Sequence, residues 1–286
     1  MKIITSLLVG ASMALVAGMS SAASTGNTLA TVDPEADRLA LIAFFQKRFP
    51  QVELDDYANG IYALDAASRA QWEEMEEFPP YEFDIEEGEE MFTTPFANGK
   101  SYADCFDNGG IGIRQNFPYW SDEQDRVVTL ELAINQCREA NGEKKLKWKK
   151  GKIAQISAYM ASTSVGNPVN IQIPNDKAKA AYLDGKAQFY SRRGQLNMSC
   201  ANCHVQGVNI PIRADRTSPT LGHVTHFPVF RSKWGELGTL HRRYGGCQKN
   251  VRGTALKAQG EEYSNLEFFM SYMSNGLEVN GPGSRK

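Results

Sequence analysis

The sequence carries one series of landmarks twice, in the same order and at nearly constant spacing, and this repetition constrains the fold more than any single motif. The matched positions are Gly88 with Gly185, Phe92 with Phe189, Phe117-Pro118 with Phe227-Pro228, Thr129-Leu130 with Thr239-Leu240, Cys137 with Cys247, and Ala158-Tyr159-Met160-Ala161 with Ser271-Tyr272-Met273-Ser274. Repetition at this scale predicts one ancestral domain used twice. Turn-forming residues gather near Gly166-Asn167-Pro168, so we predict domains over residues 24–166 and 167–286.

Helical patterns dominate both copies, and the alternation typical of strands is scarce. Asp33-Pro34 is typical of an N-cap followed by proline at the first helical position, and it predicts a helix through Phe45. Two further helices are predicted over residues 177–190 and 266–274. The irregular stretch 205–228 is too long to stand without a packing partner, and a large rigid cofactor would supply one.

The chain begins with the layout of a cleavable secretory signal. A lysine at position 2, an apolar run over residues 3–16 and small residues ending at Ala22-Ala23 provide its three regions. A membrane anchor is the alternative, but the run is short and interrupted by Gly and Ser, and no later run is long enough to cross a bilayer. We therefore expect residues 1–23 to be removed on export to the periplasm, where thiols meet oxidising conditions.

The charge of the chain bears on two classes of partner, nucleic acids and charged proteins. The formal net charge of −2 gives no reason to expect nucleic-acid binding. Acidic residues crowd into 73–90 and lysines into 144–152. Each run is interpreted as a solvated face, and the alternative is a docking patch for a charged protein.

The pentapeptide Cys200-Ala201-Asn202-Cys203-His204 has the CxxCH spacing of a c-type haem attachment site. Cys200 and Cys203 would form thioethers to the haem vinyl groups, and His204 would ligate the iron from one side. A zinc site would need a second Cys/His pair of similar spacing, and a redox dithiol would not need the following histidine. The motif therefore predicts one covalently bound haem c.

The first copy has lost this motif. Tyr102-Ala103-Asp104-Cys105-Phe106 stands in its place, without the first cysteine and the histidine. If the copies share a fold, Cys105 corresponds to Cys203 and Cys137 to Cys247, on opposite sides of a missing haem. In an exported protein these two cysteines are predicted to form a disulfide. The predicted fold class is thus mainly α, with two tandem cytochrome c-like domains, the first without haem.

Cys247 is the one cysteine left without a partner. It could be a buried structural thiol or form an intermolecular bond, but its neighbourhood favours a working thiol. Gly245-Gly246 permits a close approach of the backbone, and Arg242, Arg243 and His241 are candidates for stabilising a thiolate. A thiolate can also occupy the distal position of the iron, so Cys247 is a candidate ligand and nucleophile.

Other side chains compete for that distal position. Methionines of the last predicted helix fit core packing better, and a methionine beside the CxxCH motif is too close to swing round. Two histidines of the following loop remain alternatives, and a third is interpreted as a neighbour of the ligand. The competitors are, in that order, Met270 and Met273 (with Met160 as their haemless counterpart), Met198, His223 and His226, and His241.

RRGQLNMSCANCH (residues 192–204) and HRRYGGC (residues 241–247) closely resemble the SoxA family of cytochromes. The resemblance covers both predicted domains. It implies that the haem iron is ligated by His204 and by Cys247, the latter as a persulfide, and that Arg243 assists substrate binding. Family members with two haems have a CxxCH motif in the first domain as well. This chain departs from them there and is similar to the type with one haem.

The activity implied by the resemblance is that of an L-cysteine S-thiosulfotransferase of bacterial thiosulfate oxidation. Thiosulfate would be joined oxidatively to a cysteine of the carrier protein SoxYZ, and electrons would leave through SoxX, the cytochrome partner in a heterodimer. A guanidinium such as Arg243 suits the oxyanion end of thiosulfate. Two alternatives are a plain electron-transfer cytochrome c with a Met or His distal ligand, and a sulfur carrier without turnover.

Overall fold

The structure is a computed structural model that describes residues 33–212 and 215–285, so the predicted signal at 1–23 lies outside the described residues. Eight α-helices account for most of the regular secondary structure among the described residues, which confirms the mainly α prediction. They are α1 (Pro34–Arg48), α2 (Ala66–Glu76), α3 (Glu82–Thr93), α4 (Leu130–Ala140), α5 (Lys152–Ser162), α6 (Asp176–Tyr190), α7 (Leu240–Asn250) and α8 (Glu261–Tyr272). None of the described helices is long and apolar enough to span a membrane.

Short strands and turns connect the helices. The strands are β1 (Tyr119–Ser121), β2 (Arg126–Val128), β3 (Pro211–Ile212), β4 (Asp215–Arg216), β5 (Val229–Arg231), β6 (Glu236–Gly238) and β7 (Gly283–Arg285). β1 with β2 and β3 with β4 form antiparallel pairs, while β5 lies between antiparallel β6 and parallel β7. The 3₁₀ turns are Asp55–Ala63, Tyr102–Cys105, Asp107–Gly110 and Arg114–Asn116, and a π turn spans Asn202–Gln206.

The first repeated glycine marks a helix crossing in each copy. A Cβ on Gly88 of α3 would lie 2.2 Å from the carbonyl oxygen of Gln155 in α5. A Cβ on Gly185 of α6 would lie 2.0 Å from the carbonyl oxygen of Asn265 in α8. Only glycine allows backbones to approach this closely, so the sequence repeat reflects a packing requirement present twice.

The second part of each copy also repeats. A β-hairpin leads directly into a helix whose N-cap is the repeated threonine, Thr129 for α4 and Thr239 for α7. The hydroxyl of Thr129 accepts a hydrogen bond from the Leu132 N–H at 3.2 Å. Cys137 and Cys247 follow on these equivalent helices, as the repeat predicted.

The last sequence match was wrong by about one helical turn. Ser164 Oγ donates to the Met160 carbonyl, and Ser274 Oγ donates in the same way to the Met270 carbonyl. Each serine Oγ also accepts a hydrogen bond from a backbone N–H of its own copy. Met160 therefore corresponds to Met270 and not to Met273. Residues three or four apart share one helix face, so a short Tyr-Met match can fit equally well one turn out of register.

The two copies contact each other through the segments around the repeated threonines. Thr239 donates from its N–H to the Lys149 carbonyl at 3.1 Å and from its hydroxyl to the Trp148 carbonyl at 3.0 Å. In the reverse direction, the Thr129 hydroxyl donates to Gln259 Oε1 at 2.7 Å. These reciprocal bonds join the copies, so the lysine run, interpreted as a solvated face, also supplies backbone acceptors to the junction.

The segment before the first repeated landmark packs on the second copy. Leu41, Phe45 and Tyr57 share one buried cluster with Tyr182 and Phe269. A separate cluster fills the first copy. The helix predicted from Asp33-Pro34 is confirmed as α1, and it covers the core of the copy that contains the CxxCH motif. The division of the chain at residue 166 stays a prediction.

Candidate haem and thiolate site

The CxxCH motif begins with a capped turn that the first copy shares. Asn202 Oδ1 accepts from the Ser199 N–H at 2.9 Å. In the first copy, Asp104 Oδ2 accepts from the Ser101 N–H at 2.7 Å. The same local bond therefore shapes both turns, although Tyr102 stands where the second copy has Cys200.

His204 has the orientation of a metal ligand. Its Nδ1 lies 2.8 Å from the Ser218 carbonyl oxygen, which can only accept a hydrogen bond. Nδ1 is therefore the donor, and the lone pair of Nε2 is directed elsewhere. The ring is buried, so an unligated acceptor nitrogen would be costly there.

Three sulfurs belong to the same site. Cys200, Cys203 and Cys247 form no disulfide in the structure. Burial, and then the charge of Cys247, raises the pKa of Cys200 to about 12, and the same two causes raise the pKa of Cys203. Two neutral thiols, one oriented imidazole and one thiolate-forming cysteine together fit a haem c. Among the described residues, no three His, Cys, Asp or Glu side chains converge as a metal site.

Cys247 faces His204 across the site. Burial alone raises the pKa of its thiol, but the Arg243 guanidinium, the hydrogen bond with His204 and the charge of Arg231 outweigh burial and lower the pKa to about 7. A cysteine with such a pKa is substantially thiolate at neutral pH. The structure thus brings together His204, Cys247 and Arg243, and it adds Arg231, which the sequence did not single out.

Arg242 and His241 do not support the Cys247 thiolate as the sequence suggested. Arg242 pairs with Glu236 at 3.0 Å and stacks on Trp234, 4.2 Å from the ring centroid. His241 accepts from the Gln259 N–H at Nδ1, and its Nε2 lies 3.1 Å from a Glu267 carboxylate oxygen. Successive positions on a helix point in different directions, so of these three basic residues only Arg243 faces the sulfur.

The competing methionines have other partners. Tyr244 donates its hydroxyl to the sulfur of Met270 at 3.2 Å, and the Tyr182 hydroxyl, which donates to Asp37 at 2.9 Å, lies 3.6 Å from the sulfur of Met273. Met160 is buried in the first copy. These contacts favour core packing for the three methionines.

His223 and His226 lie beside His204. The His223 ring centroid is 4.5 Å from that of His204 and 6.3 Å from that of His226. Both loop histidines are buried, and burial lowers the pKa of each well below its ordinary range. They are neutral groups adjacent to the imidazole end of the site.

A disulfide occupies the equivalent place in the first copy. The structure joins Cys105 to Cys137, with Cα atoms 5.8 Å apart. Cys137 lies on α4 as Cys247 lies on α7. The two cysteines that would face a haem in this copy are therefore bonded to each other.

Known proteins match the chain over most of its length. The family model described as "SoxA/TsdA, cytochrome c domain" matches residues 87–169, so the copy without CxxCH is itself a cytochrome c domain. The L-cysteine S-thiosulfotransferase subunit SoxA of Chlorobaculum tepidum is 56% identical over 252 residues, 88% of each chain. The subunit of the same name from Chlorobaculum thiosulfatiphilum is 52% identical over 281 residues, 98% of this chain and 97% of that one.

The fold has a solved relative as well. It is similar to the crystal structure of SoxXA from P. pantotrophus, with a TM-score of 0.67, 28% identity, and coverage of 73% of this chain and 79% of that chain. The Allochromatium vinosum SoxA subunit is 51% identical over 255 residues, 88% of this chain and 90% of that one. With identity above half across nearly nine tenths of the sequence, this chain belongs to the SoxA family.

Proposed function

We propose that this chain is the SoxA subunit of an L-cysteine S-thiosulfotransferase, an enzyme that joins thiosulfate to a cysteine of a carrier protein. The observation that carries the proposal is the placement of Cys247 opposite His204, with Arg243 one helical turn before the sulfur. Such a site combines a stabilised thiolate with a cation for a doubly charged anion. The high identity to subunits of that name supports the same reaction.

Cys200 and Cys203 would hold one haem c through thioethers, and His204 and Cys247 would ligate its iron. When bound, the haem supplies a redox centre beside the sulfur. The donor set at this site fits such a group, because the Ser218 carbonyl engages Nδ1 of His204 and leaves Nε2 to the side on which Cys247 lies.

The reaction follows from the positions of the side chains. Arg243 binds the oxyanion end of thiosulfate through its planar donors. The Cys247 thiolate forms an S–S bond to the sulfane sulfur, with loss of two electrons to an external acceptor. The carrier thiolate then attacks the same sulfane sulfur, the new S–S bond forms, and Cys247 leaves as thiolate. The balance is one thiosulfate and one thiol giving one S-thiosulfonate, one proton and two electrons.

The partners and compartment belong to the same proposal. We place the enzyme in the periplasm, with SoxX as its cytochrome partner and acceptor and SoxYZ as its carrier. The solved relative is the SoxXA of P. pantotrophus, which supports the first of these partners. In this proposal the Cys105–Cys137 disulfide stands in the place of a second haem.

Two alternative functions make different predictions from the proposed enzyme. A plain electron-transfer cytochrome c would have a Met or His distal ligand, but the sulfur of Met270 already accepts a hydrogen bond from Tyr244, and Met273 is buried in the core. A sulfur carrier without turnover would keep Cys247 but need no electron exit. Electron paramagnetic resonance of the oxidised holoprotein separates the first alternative, because thiolate ligation gives a characteristic low-spin ferric signal.

Steady-state kinetics with a matched pair of variants tests the catalytic assignment. Arg243→Ala should raise the KM for thiosulfate about 10- to 100-fold, as expected for loss of a charge-assisted hydrogen bond of about 1.5–3 kcal/mol. Arg242→Ala removes the same charge from a side chain bound to Glu236, and should leave KM within about twofold. Cys247→Ala should abolish thiosulfate conjugation with the haem still attached. Retained conjugation in that variant would remove Cys247 from the mechanism.

A further inference from the structure

The loop between β4 and β5 buries polar atoms that have no hydrogen-bond partner. Among the described residues these include Thr220 Oγ1, His223 Nδ1 and His226 Nδ1, and Arg285 Nη2 adds a fourth. His223 and His226 are 9% and 5% exposed. Nine in ten buried polar groups are hydrogen-bonded, and each exception costs about 1–3 kcal/mol. The clustering of these unpartnered polar atoms beside His204 indicates a bound group that the polypeptide does not supply.

The surroundings of these atoms are basic. A Cβ built on Gly283 would lie 3.5 Å from Arg285 Nη1 and 3.6 Å from the Cβ of His226, so this guanidinium lies close to the histidine. Burial, and then Arg243, lowers the pKa of Arg231 to about 10. Asp215 pairs with Arg231 at 3.3 Å, and the Glu76 carboxylate acts on Arg285; a further anion would offset the positive charge that remains away from water.

The fold places two of the arginines side by side. β5 and β7 are parallel, and Arg231 is in register with Arg285. Residues in register on adjacent strands point to the same face of a sheet. Aromatic rings support both guanidinium groups. Arg231 lies 5.4 Å from the centroid of Trp234, and Arg285 lies 4.8 Å from that of Tyr62. Planar groups supported in this way are positioned for bidentate binding of carboxylates.

The backbone of β7 and of the residues just before it packs closely against His226. A Cβ on Gly281 would lie 2.7 Å from the carbonyl carbon of His226. Gly283 begins β7, and a Cβ there would lie 3.6 Å from the Cβ of His226. The loop, β5 and β7 therefore form one closely packed unit, which we call the basic nest and define as His223, His226, Arg231 and Arg285.

We propose that the basic nest binds the two propionate carboxylates of the haem. The inference rests on the proposed covalent haem, whose thioethers lie at one edge of the ring while its carboxylates project from another. Two carboxylates would satisfy the unpartnered donors and offset the gathered positive charge. Thiosulfate is a less suitable occupant, because the unpartnered nitrogen atoms of the two histidines are wholly buried, and a substrate must come and go.

The test uses holoprotein with haem attached, in the parent and in His226→Leu and Arg285→Leu variants. Redox-difference infrared spectra, with haem labelled at the propionate carboxyl carbons, report the bonds made by the carboxylates. We expect both substitutions to shift the carboxylate bands. Arg285→Leu should also lower the haem reduction potential, since loss of a nearby cation stabilises the ferric state. The KM for thiosulfate should stay within about twofold of the parent.

Arg216→Leu is the matched control. It removes an equal charge from a half-exposed side chain paired with Asp65, and should move neither the bands nor the potential measurably. Arg285→Lys is a milder variant in case Arg285→Leu does not fold; it keeps the charge but loses the planar fork, so it should still shift the bands.

Unchanged bands in a variant with intact haem and an intact thiolate signal would overturn the nest assignment and leave the proposed function standing. A raised KM with unchanged bands would overturn it in favour of a substrate site. Absence of covalent haem or of the thiolate signal in the parent would contradict the proposed function itself.

Discussion

The crossing of α6 and α8 gives a quantitative prediction for Gly185→Ala. The new Cβ would lie 2.0 Å from the Asn265 carbonyl oxygen and 2.8 Å from the Phe269 Cβ, where ordinary contact begins at 3.4 Å. Because the nearest of these neighbours is a backbone atom, the helices must separate by more than about 1 Å. Overpacking of this kind costs about 1–3 kcal/mol or more, and the better helix propensity of alanine returns about 1 kcal/mol.

Opening the crossing also disturbs the rings that pack across it. Phe269 lies 5.3 Å from Tyr182 and 5.5 Å from Phe189, measured between centroids. Such pairs contribute about 0.5–1.5 kcal/mol each. With the overpacking cost and the gain in helix propensity included, we expect the free energy of unfolding to fall by about 2 kcal/mol. For a chain of this size that corresponds to a fall of roughly 4–8 °C in Tm, measured by circular dichroism of the holoprotein.

Two companion variants calibrate the result. Gly88→Ala creates the equivalent overlap in the first copy, at 2.2 Å from the Gln155 carbonyl oxygen, and should cost a similar amount. Ala187→Gly, on the exposed side of α6, should lose about 1 kcal/mol through propensity alone. If Gly185→Ala proved more stable than the parent by that same amount, the close backbone contact would be refuted.

Two further predictions concern stability in the first copy. Burial, followed by the carboxylate of Glu267, raises the pKa of Glu131; the folded state therefore holds a proton that the unfolded chain loses above about pH 4.3, and stability falls as pH rises through the folded pKa. Glu131→Gln should unfold at higher urea concentration at pH 7 and show a flatter pH profile, and an unchanged profile would contradict this. Replacing Cys105 and Cys137 by alanine should cost about 3.5 kcal/mol in urea unfolding, given their separation of 32 residues; a loss below 1 kcal/mol would show that the cross-link adds little.

Features with a local pattern could be predicted from sequence. The repeat, the CxxCH motif and the count of cysteines led to His204, Cys247 and the Cys105–Cys137 pair. Arg231 and Arg285 could not be found, because they become neighbours only through the parallel pairing of β5 with β7, and nothing in the sequence near either arginine indicates that pairing.

Buried polar contacts between the copies were equally hidden. Glu131 and His241 occupy equivalent positions in the repeat although one is acidic and the other basic, and both are buried and face Glu267. The acidic run at residues 73–90 also contains contacts that its overall charge does not predict. Most of it is exposed as expected, but Glu76 accepts hydrogen bonds from Tyr81 and from Ser284 of β7. A run of like charges reveals its average environment and conceals the members that have specific partners.

The pairing of a disulfide in one copy with reduced cysteines in the other affects how the protein can be produced. Cys105 and Cys137 must be oxidised to join, whereas Cys200 and Cys203 must remain thiols until the proposed haem is attached. One chain therefore needs two opposite redox treatments in one compartment, and thiol exchange can connect any of the five cysteines before maturation ends. Recombinant yield should thus depend on the order of the two treatments, with haem attachment favoured before strong oxidation.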